Sequence, residues 1–376
     1  MLKANVGSSI AADAYAAGRE AAAKARVDGA KVAFAFTSCD YDQTAFLKGV
    51  GEALPGTPVV GCTSFTGLLT PEGFISGPDG YAGVMAIADE DLVVGTAGAP
   101  KGDCARETGR QVAKAAMAAA GRSEAPAYFY MVAPPGEEET YLKGIEDVIG
   151  RVPFFGGSAA DNSVEGKWKV LYGLESYGNG LGVVFFYTNK KAAFRYAGEY
   201  TETPKAGIIT KVEGKRKIVE IDGVPALVKY AEWLGVEPQT LHGLALLGAS
   251  ICHPLGEKDR LGDLVAIRHP MVGNPDGTIN VGNDVAAGTA VIFMDGSPDE
   301  LIASTGKTIR MVDDRLGEKP GAYLLVHCGG RRGGIGDRIG EAADEIRKAA
   351  GGVPFIGVFT FGEYGFEDWG ATPAAA

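Results

Sequence analysis

The chain repeats part of its own sequence, and this repeat limits the possible folds more than any other feature. Two stretches match at an offset of 95 residues, and each contains an apolar run, a helical tripeptide and a Pro-x-x-Gly sequence. The matching pairs are Lys31–Thr37 with Pro126–Val132, Leu47–Gly49 with Leu142–Gly144, and Pro58–Gly61 with Pro153–Gly156. A period this long excludes a solenoid, whose units run to about 20–50 residues, and favours duplicated α/β units.

A third, looser copy lies near the C-terminus. Its apolar run is Tyr323–Cys328, its helical stretch is Ile335–Ala350, its closing strand is Pro354–Gly357, and a longer first loop spans Gly329–Gly334. Each copy has the order strand, loop, helix, strand, which predicts a βαβ unit with a parallel strand pair. We therefore predict an α/β fold with α+β character, in which duplicated strand-helix-strand units with mixed β-sheets form two domains.

The predicted N-terminal domain covers residues 1–203 and contains the first two copies, at about 28–98 and 123–200. The second predicted domain covers residues 204–376. The boundary is placed at the start of Thr203–Lys217, because this stretch is rich in glycine and charged residues.

Periodicity predicts further elements besides the matched segments. Helices are expected at Ser8–Arg26, Asp103–Gly121, Pro225–Leu234 and Ser297–Asp314, the first with Ser8 or Ser9 as its N-cap. Strands are expected at Tyr81–Ala88, Leu92–Ala97, Lys167–Tyr172, Leu181–Tyr187, Ala193–Tyr200, Lys217–Ile221, Leu264–His269 and Ala290–Met294. Together these elements favour mixed sheets.

The composition excludes several classes of protein. Hydrophobic residues make up 46% of the chain, too many for a largely disordered protein, and the net charge of −11 makes it a poor general binder of nucleic acid. The five cysteines are scattered without a Cys-x-x-Cys pair, which favours a reducing compartment over a disulfide framework or a zinc ribbon. No apolar run approaches the ~18 residues of a membrane span. We expect a soluble cytoplasmic protein without membrane insertion.

The loops that follow the closing strands hold the candidate binding residues. In α/β units, ligands bind outside the carboxyl ends of the strands, and here three equivalent strands end in three different loops. The polar candidates are Ser64 and Thr66 after the first copy, Ser158, Asp161 and Asn162 after the second, and Gly362 and Glu363 after the third. A repeated scaffold with unlike loops is what one asymmetric site would need. The alternative is that these are ordinary turn residues.

A second group of candidates lies between the first strand and the helix of the third copy. The sequence His327–Gly334 holds Cys328, Arg331 and Arg332 among four glycines, and guanidinium groups there suit a carboxylate or a phosphate. Glu363 is suited to a ligand amine, so an arginine and Glu363 together would select an amino acid. The alternative is a flexible loop with solvated arginines.

Catalysis has little support in the sequence. Serine-hydrolase and zinc-protease motifs are missing, and Cys328 and His327 are neighbours on a strand, so they point to opposite faces. We expect no enzyme, with a nucleophilic Cys328 or Cys62 as the alternative. The four histidines are too widely spaced to predict a metal site, and no cofactor is expected, although a single histidine remains a possible haem ligand.

The combination of these motifs resembles the FIST-domain proteins, with FIST N and FIST C regions over nearly the whole length. The N-terminal resemblance rests on Pro58–Ser64 and Pro153–Ala159. The C-terminal resemblance rests on Asp284–Thr289, on Cys328 with Arg331, and on Pro354–Gly357 followed by Gly362 and Glu363.

This resemblance implies a standalone sensory protein of microbial signal transduction that binds a small ligand, with amino acids as the proposed class. Relatives act beside histidine kinases, chemoreceptors or cyclic-di-nucleotide enzymes, and some resemble haem-dependent nitric-oxide sensors. At most about 20 residues lie outside the two regions, so we expect signalling to need a partner in trans. The expected site lies between the N- and C-terminal regions.

Overall fold

The computed structural model describes residues 2–198, 200–258 and 265–366. The chain forms two compact units that are discontinuous in sequence. Of the described residues, the first contains 2–196, 305–332 and 337–366, and the second contains 197–198, 200–258, 265–304 and 333–336. Most of each sequence copy therefore belongs to the first unit, although the end of the second copy and residues 333–336 of the third lie in the second unit.

The first copy forms a mixed sheet flanked by two helices. Its elements are β1 (Lys3–Ser9), α1 (Ala14–Lys24), β2 (Ala30–Thr37), α2 (Gln43–Ala53), β3 (Val59–Thr63), β4 (Leu68–Thr70), β5 (Gly73–Ile75) and β6 (Ala82–Ala88). Strands β2 and β3 are parallel and joined by α2, as predicted. Strand β6 lies antiparallel between β1 and β2.

The second copy repeats this plan. Its elements are β7 (Val93–Pro100), α3 (Ala105–Ala120), β8 (Tyr128–Ala133), α4 (Glu138–Ile149), β9 (Phe154–Ser158), β10 (Val170–Tyr172), β11 (Glu175–Tyr177) and β12 (Gly180–Tyr187). Strands β8 and β9 are parallel, and β12 lies antiparallel between β7 and β8. The pairing of Ala33 with Val59 corresponds to that of Phe129 with Phe154. The first strands are thus related by 96 residues rather than 95, because the loop before α2 is one residue longer than the loop before α4.

The second compact unit is built on one antiparallel sheet. Its elements are β13 (Thr201–Glu213), β14 (Lys217–Ile221), β15 (Val224–Pro225), α5 (Ala226–Leu234), a 3-10 turn (Pro238–Leu241), α6 (Ala245–Ser250), β16 (Leu255–Lys258), β17 (Val265–Arg268), β18 (Pro270–Gly273), β19 (Ile279–Val281) and β20 (Ala290–Asp295). The strand order is β17-β16-β20-β13-β14-β19-β18, with β15 beside β14. Helix α5 packs its buried Tyr230 and Trp233 against Phe293 of the sheet.

The third copy completes the chain. Its elements are α7 (Pro298–Leu316), β21 (Tyr323–Cys328), α8 (Gly329–Ile335), a 3-10 turn (Gly336–Arg338), α9 (Ile339–Ala350), β22 (Phe355–Thr360) and β23 (Glu363–Phe366). Strands β21 and β22 are parallel, so this copy is also a βαβ unit. The sequence Gly329–Gly334 was predicted to be a loop, but it forms the short helix α8.

The three copies are linked in a closed ring. A short strand that follows each parallel pair crosses to another copy: β4 pairs with β22, β10 with β3, and β23 with β9. Three equivalent backbone hydrogen bonds close the ring at the carboxyl ends of the strands. They run from Phe65 N to Phe359 O (3.0 Å), from Phe361 N to Ser158 O (3.1 Å) and from Ala160 N to Thr63 O (3.0 Å). The sequence repeat is therefore a pseudo-threefold arrangement of structure.

The interior of the ring is one apolar core shared by all three copies. It includes Phe34, Val60, Tyr130, Val132, Ile356 and Val358, each at most 1% exposed. Each repeated Pro-x-x-Gly sequence in the first two copies needs its glycine, because a Cβ on Gly61 or Gly156 would lie within 2 Å of a carbonyl oxygen on the neighbouring parallel strand. Helices α1 and α2 cover the outer face of the first sheet, and α3 and α4 cover that of the second.

Several local predictions were wrong. Ser8 and Ser9 end β1, and the helix begins after Asp13, whose carboxylate caps Ala16. Residues 193–198 and Tyr200 form no strand. Strand β13, which covers most of Thr203–Lys217, was not predicted, because its apolar residues alternate too weakly to reveal a strand. Leu264 of a further predicted strand lies outside the described residues, and that strand begins at Val265. In the described part of the chain, no helix is both long and apolar enough to span a membrane.

Candidate functional site

The loops at the closed ring bring most of the candidate residues together. Asn162 and Glu363 occupy equivalent places, each six residues after the glycine of its Pro-x-x-Gly sequence. Around them lie Ser38 at the end of β2 and Cys328 at the end of β21. Residues from the predicted N- and C-terminal regions thus meet within one compact unit.

Asn162 joins the second copy to the first. Its side-chain oxygen accepts hydrogen bonds from the Thr66 backbone N–H (2.8 Å) and the Tyr81 hydroxyl (3.1 Å), and its side-chain nitrogen donates to Asp40 (2.6 Å). Its backbone N–H donates to the Cys39 sulfur at 3.4 Å. Asn162 is therefore well supplied with protein partners.

Asp161 organises its own loop. The carboxylate is fully buried and accepts hydrogen bonds from the backbone N–H groups of Ser163, Val164, Glu165 and Lys167. A carboxylate that accepts several backbone N–H bonds is held firmly in place. Asp161 thus shapes the loop, and its oxygens are engaged by the protein itself.

Ser64 and Thr66 differ in what their hydroxyls contact. The Ser64 hydroxyl is fully buried, donates to Gly67 O (2.7 Å) and accepts from Phe359 N (2.9 Å), so it joins the first copy to the third. Thr66 has φ +59°, a left-handed conformation that strains a β-branched residue. Its Oγ1 is buried and has no hydrogen-bond partner within the described residues.

Ser158 belongs to a polar group that the sequence did not reveal. Its hydroxyl donates to Glu138 at 2.8 Å, and the other oxygen of this buried carboxylate accepts from Gly136 N at 2.8 Å. Gly362 lies against this pair, because a Cβ added there would meet the Ser158 hydroxyl at 3.0 Å. Its carbonyl accepts from Ser158 N at 2.7 Å. Ser158 and Gly362 therefore serve packing between the second and third copies.

Glu363 is the most perturbed carboxyl group at the ring. It accepts a hydrogen bond from the Thr360 hydroxyl at 2.6 Å and another from the Cys328 thiol. Burial raises the pKa of Glu363 to about 7, although Arg331, Thr360 and Cys328 favour its charged form. The group therefore changes charge near neutral pH.

Cys328 and Arg331 complete this cluster. The Cys328 sulfur accepts from the backbone N–H groups of Arg331 and Gly330, but burial and the nearby Glu363 raise the pKa of the thiol to about 12. The Arg331 side chain is buried, with 9% of its surface exposed. Arg331 is buried, while Cys328 and Glu363 are half-buried, and we call these three residues the Glu363 cluster.

Arg332 in α8 and His327 in β21 each contact an aromatic side chain. The Arg332 guanidinium stacks over the Phe74 ring at 4.9 Å, in a cation–π contact with the first copy. His327 packs edge-on against Phe359, and burial, reinforced by Arg331, lowers the pKa of His327 to about 3.

A haem group does not fit at His327. The imidazole is neutral, as an axial ligand must be, and its Nε2 has no partner within the described residues. However, only 8% of the residue is exposed, and an axial ligand needs an open porphyrin-sized face. His253 stacks flat on Phe293 with its Nδ1 3.1 Å from Asp295, and His242 is exposed. Among the described residues, no group of three His, Cys, Asp or Glu side chains is placed to hold a metal ion.

The structure also places residues at the ring that sequence reasoning missed. Ser38, Asp40, Tyr81 and Glu138 all bond to candidate residues. Ser38 and Asp40 follow β2, so the rule that selected loops after the closing strands applies equally to loops after the first strands. Tyr81 and Glu138 carry no comparable sequence signal, because their partners Asn162 and Ser158 lie far from them in the chain.

Family models match two consecutive parts of the chain. The FIST N domain model matches residues 31–224, and the FIST C domain model matches residues 226–365. The chain belongs to the FIST family. FIST domains are associated with sensory signal transduction and small-ligand binding. The first two structural copies lie in the FIST N match, apart from β1 and α1, and the β21–β22 unit lies in the FIST C match.

Comparison with individual proteins adds little to the FIST assignment. The crystal structure of cyanuric acid hydrolase from A. caulinodans matches 70% of this chain and 83% of its own, with 13% identity and a TM-score of 0.29. A TM-score this low carries no argument about fold or activity. No curated protein matches the chain.

Proposed function

We propose that this FIST protein is a sensor that binds an amino acid, or a related metabolite carrying both an amine and a carboxylate, at the Glu363 cluster. The single observation that supports this most is that the half-buried Glu363 and the buried Arg331 interact electrostatically at the carboxyl ends of the third parallel pair. The ammonium group of such a ligand would meet the Glu363 carboxylate, and its carboxylate would meet the Arg331 guanidinium.

Desolvation explains why such a site would be selective. A carboxyl group whose pKa lies near 7 is held in a surrounding that penalises its charge, so a ligand ammonium would stabilise the ionised form of Glu363. Arg331 offers two parallel N–H donors to a ligand carboxylate. A ligand without an ammonium group would leave the ionised Glu363 in a surrounding that penalises its charge, which is costly.

The signal is proposed to pass to a partner protein, such as a histidine kinase, a chemoreceptor or a cyclic-di-nucleotide enzyme. Ligand binding would act by favouring one conformation of the sensor over another, because a ligand shifts an equilibrium only through its differential affinity.

Calorimetric titration with a panel of amino acids tests the proposal. For any amino acid that binds, we expect the matching amine without its carboxylate, and the matching acid without its amine, each to bind at least tenfold more weakly. Glu363→Gln should weaken binding of the intact amino acid by a similar factor, whereas Glu90→Gln, at an exposed position, should not. Affinity should rise between pH 6 and pH 8 as Glu363 ionises.

Two results would count against the proposal. One is a well-folded sample that gives no binding heat and no thermal shift with any member of the panel. The other is equal affinity for the amino acid and for its two truncated analogues, because then the paired charges play no part.

We further propose that the site binds without catalysing a reaction. Cys62 is fully buried in the shared core, and burial raises the pKa of both Cys62 and Cys328, which disfavours the thiolate needed for attack. Alkylation of Cys328 by iodoacetamide at pH 7, at the rate of a free thiol or faster, would contradict this.

A further inference from the structure

Three aromatic side chains lie together in the loops that close the ring of copies, and none of them belongs to the Glu363 cluster. Phe65 lies 5.6 Å from Phe361, and Trp168 lies 6.2 Å from Phe361 in an edge-on arrangement, measured between ring centroids. All three side chains are half-buried. We call this group the aromatic wall.

Each copy contributes one aromatic side chain to the wall. Phe65 and Phe361 are equivalent residues, each four positions after its Pro-x-x-Gly glycine, and their N–H groups donate two of the three bonds that close the ring. The second copy has Ala160 at this position, and its loop supplies Trp168 instead. The hydrogen bonds that link the three copies therefore fix the backbone of Phe65 and Phe361, so these two residues are held in place before any ligand binds.

The aromatic wall adjoins the Glu363 cluster. The Phe361 ring packs over Gly329, where an added Cβ would lie 3.1 Å from the ring, and Gly329 directly follows Cys328. Glu363 follows Phe361 by two residues. The buried Oγ1 of Thr66, without a partner within the described residues, lies next to Phe65 in the chain. The apolar surface of the aromatic wall thus borders the charged groups of the Glu363 cluster.

We propose that the ligand is an amino acid with an aromatic side chain, whose ring packs against the aromatic wall while its charged groups meet Arg331 and Glu363. This rests on the proposed function and narrows the ligand class. Aromatic rings pair by offset or edge-on contacts that add affinity beyond the area they bury. Half-buried aromatic side chains beside a few placed polar groups are the usual lining of small-molecule sites.

Calorimetric titration of the full chain with phenylalanine, leucine and alanine tests the inference. We expect phenylalanine to bind at least tenfold more tightly than leucine, and leucine more tightly than alanine. Trp168→Leu and Phe361→Leu should each lower the preference for phenylalanine over leucine to threefold or less, while alanine affinity stays within threefold of the wild type. Phe194→Leu is the matched control. Phe194 is also half-buried, but it packs on Tyr128 and Phe155 near the N-terminal ends of β8 and β9, whereas the aromatic wall follows the carboxyl ends of the strands.

The outcomes separate this inference from the function on which it rests. If all three amino acids bind with equal affinity, the inference is wrong and the proposed function stands. If phenylalanine is preferred but neither Trp168→Leu nor Phe361→Leu changes the preference, the wall is not its source and the inference is again wrong. If no amino acid binds to the folded protein, both fail together. Thermal unfolding of each variant shows whether a lost preference reflects a lost fold.

Discussion

Two carboxyl groups follow equivalent strands of this molecule, yet their surroundings differ. Asp161, after β9, accepts four backbone N–H groups of its own loop. Glu363, after β22, accepts from the Thr360 hydroxyl, the Cys328 thiol and its own backbone N–H, and burial raises its pKa to about 7. One carboxylate is stabilised by the local backbone, while the other is left with a desolvation cost that a ligand would relieve.

This difference shows how a repeated scaffold can divide its tasks. The sequence marks both residues as polar side chains after a closing strand, and this pattern is the same for Asp161, which organises its loop, and for Glu363, which we propose to bind the ligand. Asp161 and Glu363 differ in how many backbone N–H groups donate hydrogen bonds to their carboxylates. Perturbed pKa values tend to occur at functional sites, and here the perturbation falls on the third copy.

The largest expected effect comes from removing the charge of the loop organiser. Asp161→Asn should lower the free energy of unfolding by about 3 kcal/mol, because an amide cannot accept all the backbone donors that the carboxylate accepts. Urea denaturation measures this, with the exposed Glu165→Gln in the same loop as the control. A loss below about 1 kcal/mol would mean that the backbone N–H groups contribute little to holding the Asp161 carboxylate, so that Asp161 and Glu363 would differ less than proposed.

The second prediction uses the pH dependence of Glu363. Its folded pKa is raised, so between about pH 4.5 and pH 7 the unfolded chain releases a proton that the folded chain keeps, and the free energy of unfolding falls as pH rises through this window. Glu363→Gln removes this decline. Allowing for the partial exposure of the group, the variant should be the more stable by about 2 kcal/mol at pH 8 and by much less at pH 5.

Denaturation of both proteins at pH 5, 6.5 and 8 provides the measurement, and Glu90→Gln is the control. Parallel pH profiles for the wild type and the Glu363→Gln variant would show that this carboxyl group carries no desolvation cost.

The smallest expected effect concerns backbone strain in the loop that Asp161 organises. Val164 has φ +58°, which a β-branched residue adopts only under constraint. Val164→Asn should stabilise the protein by about 0.7 kcal/mol, since asparagine tolerates this conformation. Val236→Asn, at a residue with similar exposure and without a positive φ, should change stability by less than about 0.5 kcal/mol. Equal effects at both sites would indicate that the Asp161 loop imposes no strain.

Much of the fold could be read from the sequence, because the repeated pattern reports local periodicity. The three parallel pairs and most helices lie where the apolar runs and Pro-x-x-Gly sequences indicate. The first helix was misplaced because alanine-rich sequence continues without a break from β1 into α1, and only the Asp13 cap marks the start. Residues Gly329–Gly334 read as a loop because their glycines have no helical preference of their own.

The amino-acid sequence by itself determined the three βαβ units, the family and the identity of the loops in which polar residues occur, because these depend on short-range spacing. Only the tertiary structure decided that β4, β10 and β23 cross between copies to close a ring, and which polar groups there satisfy one another. The physical reason is that desolvation and hydrogen bonding depend on neighbours far apart in the chain. Asp161 and Glu363 therefore look alike in sequence and differ in their folded surroundings.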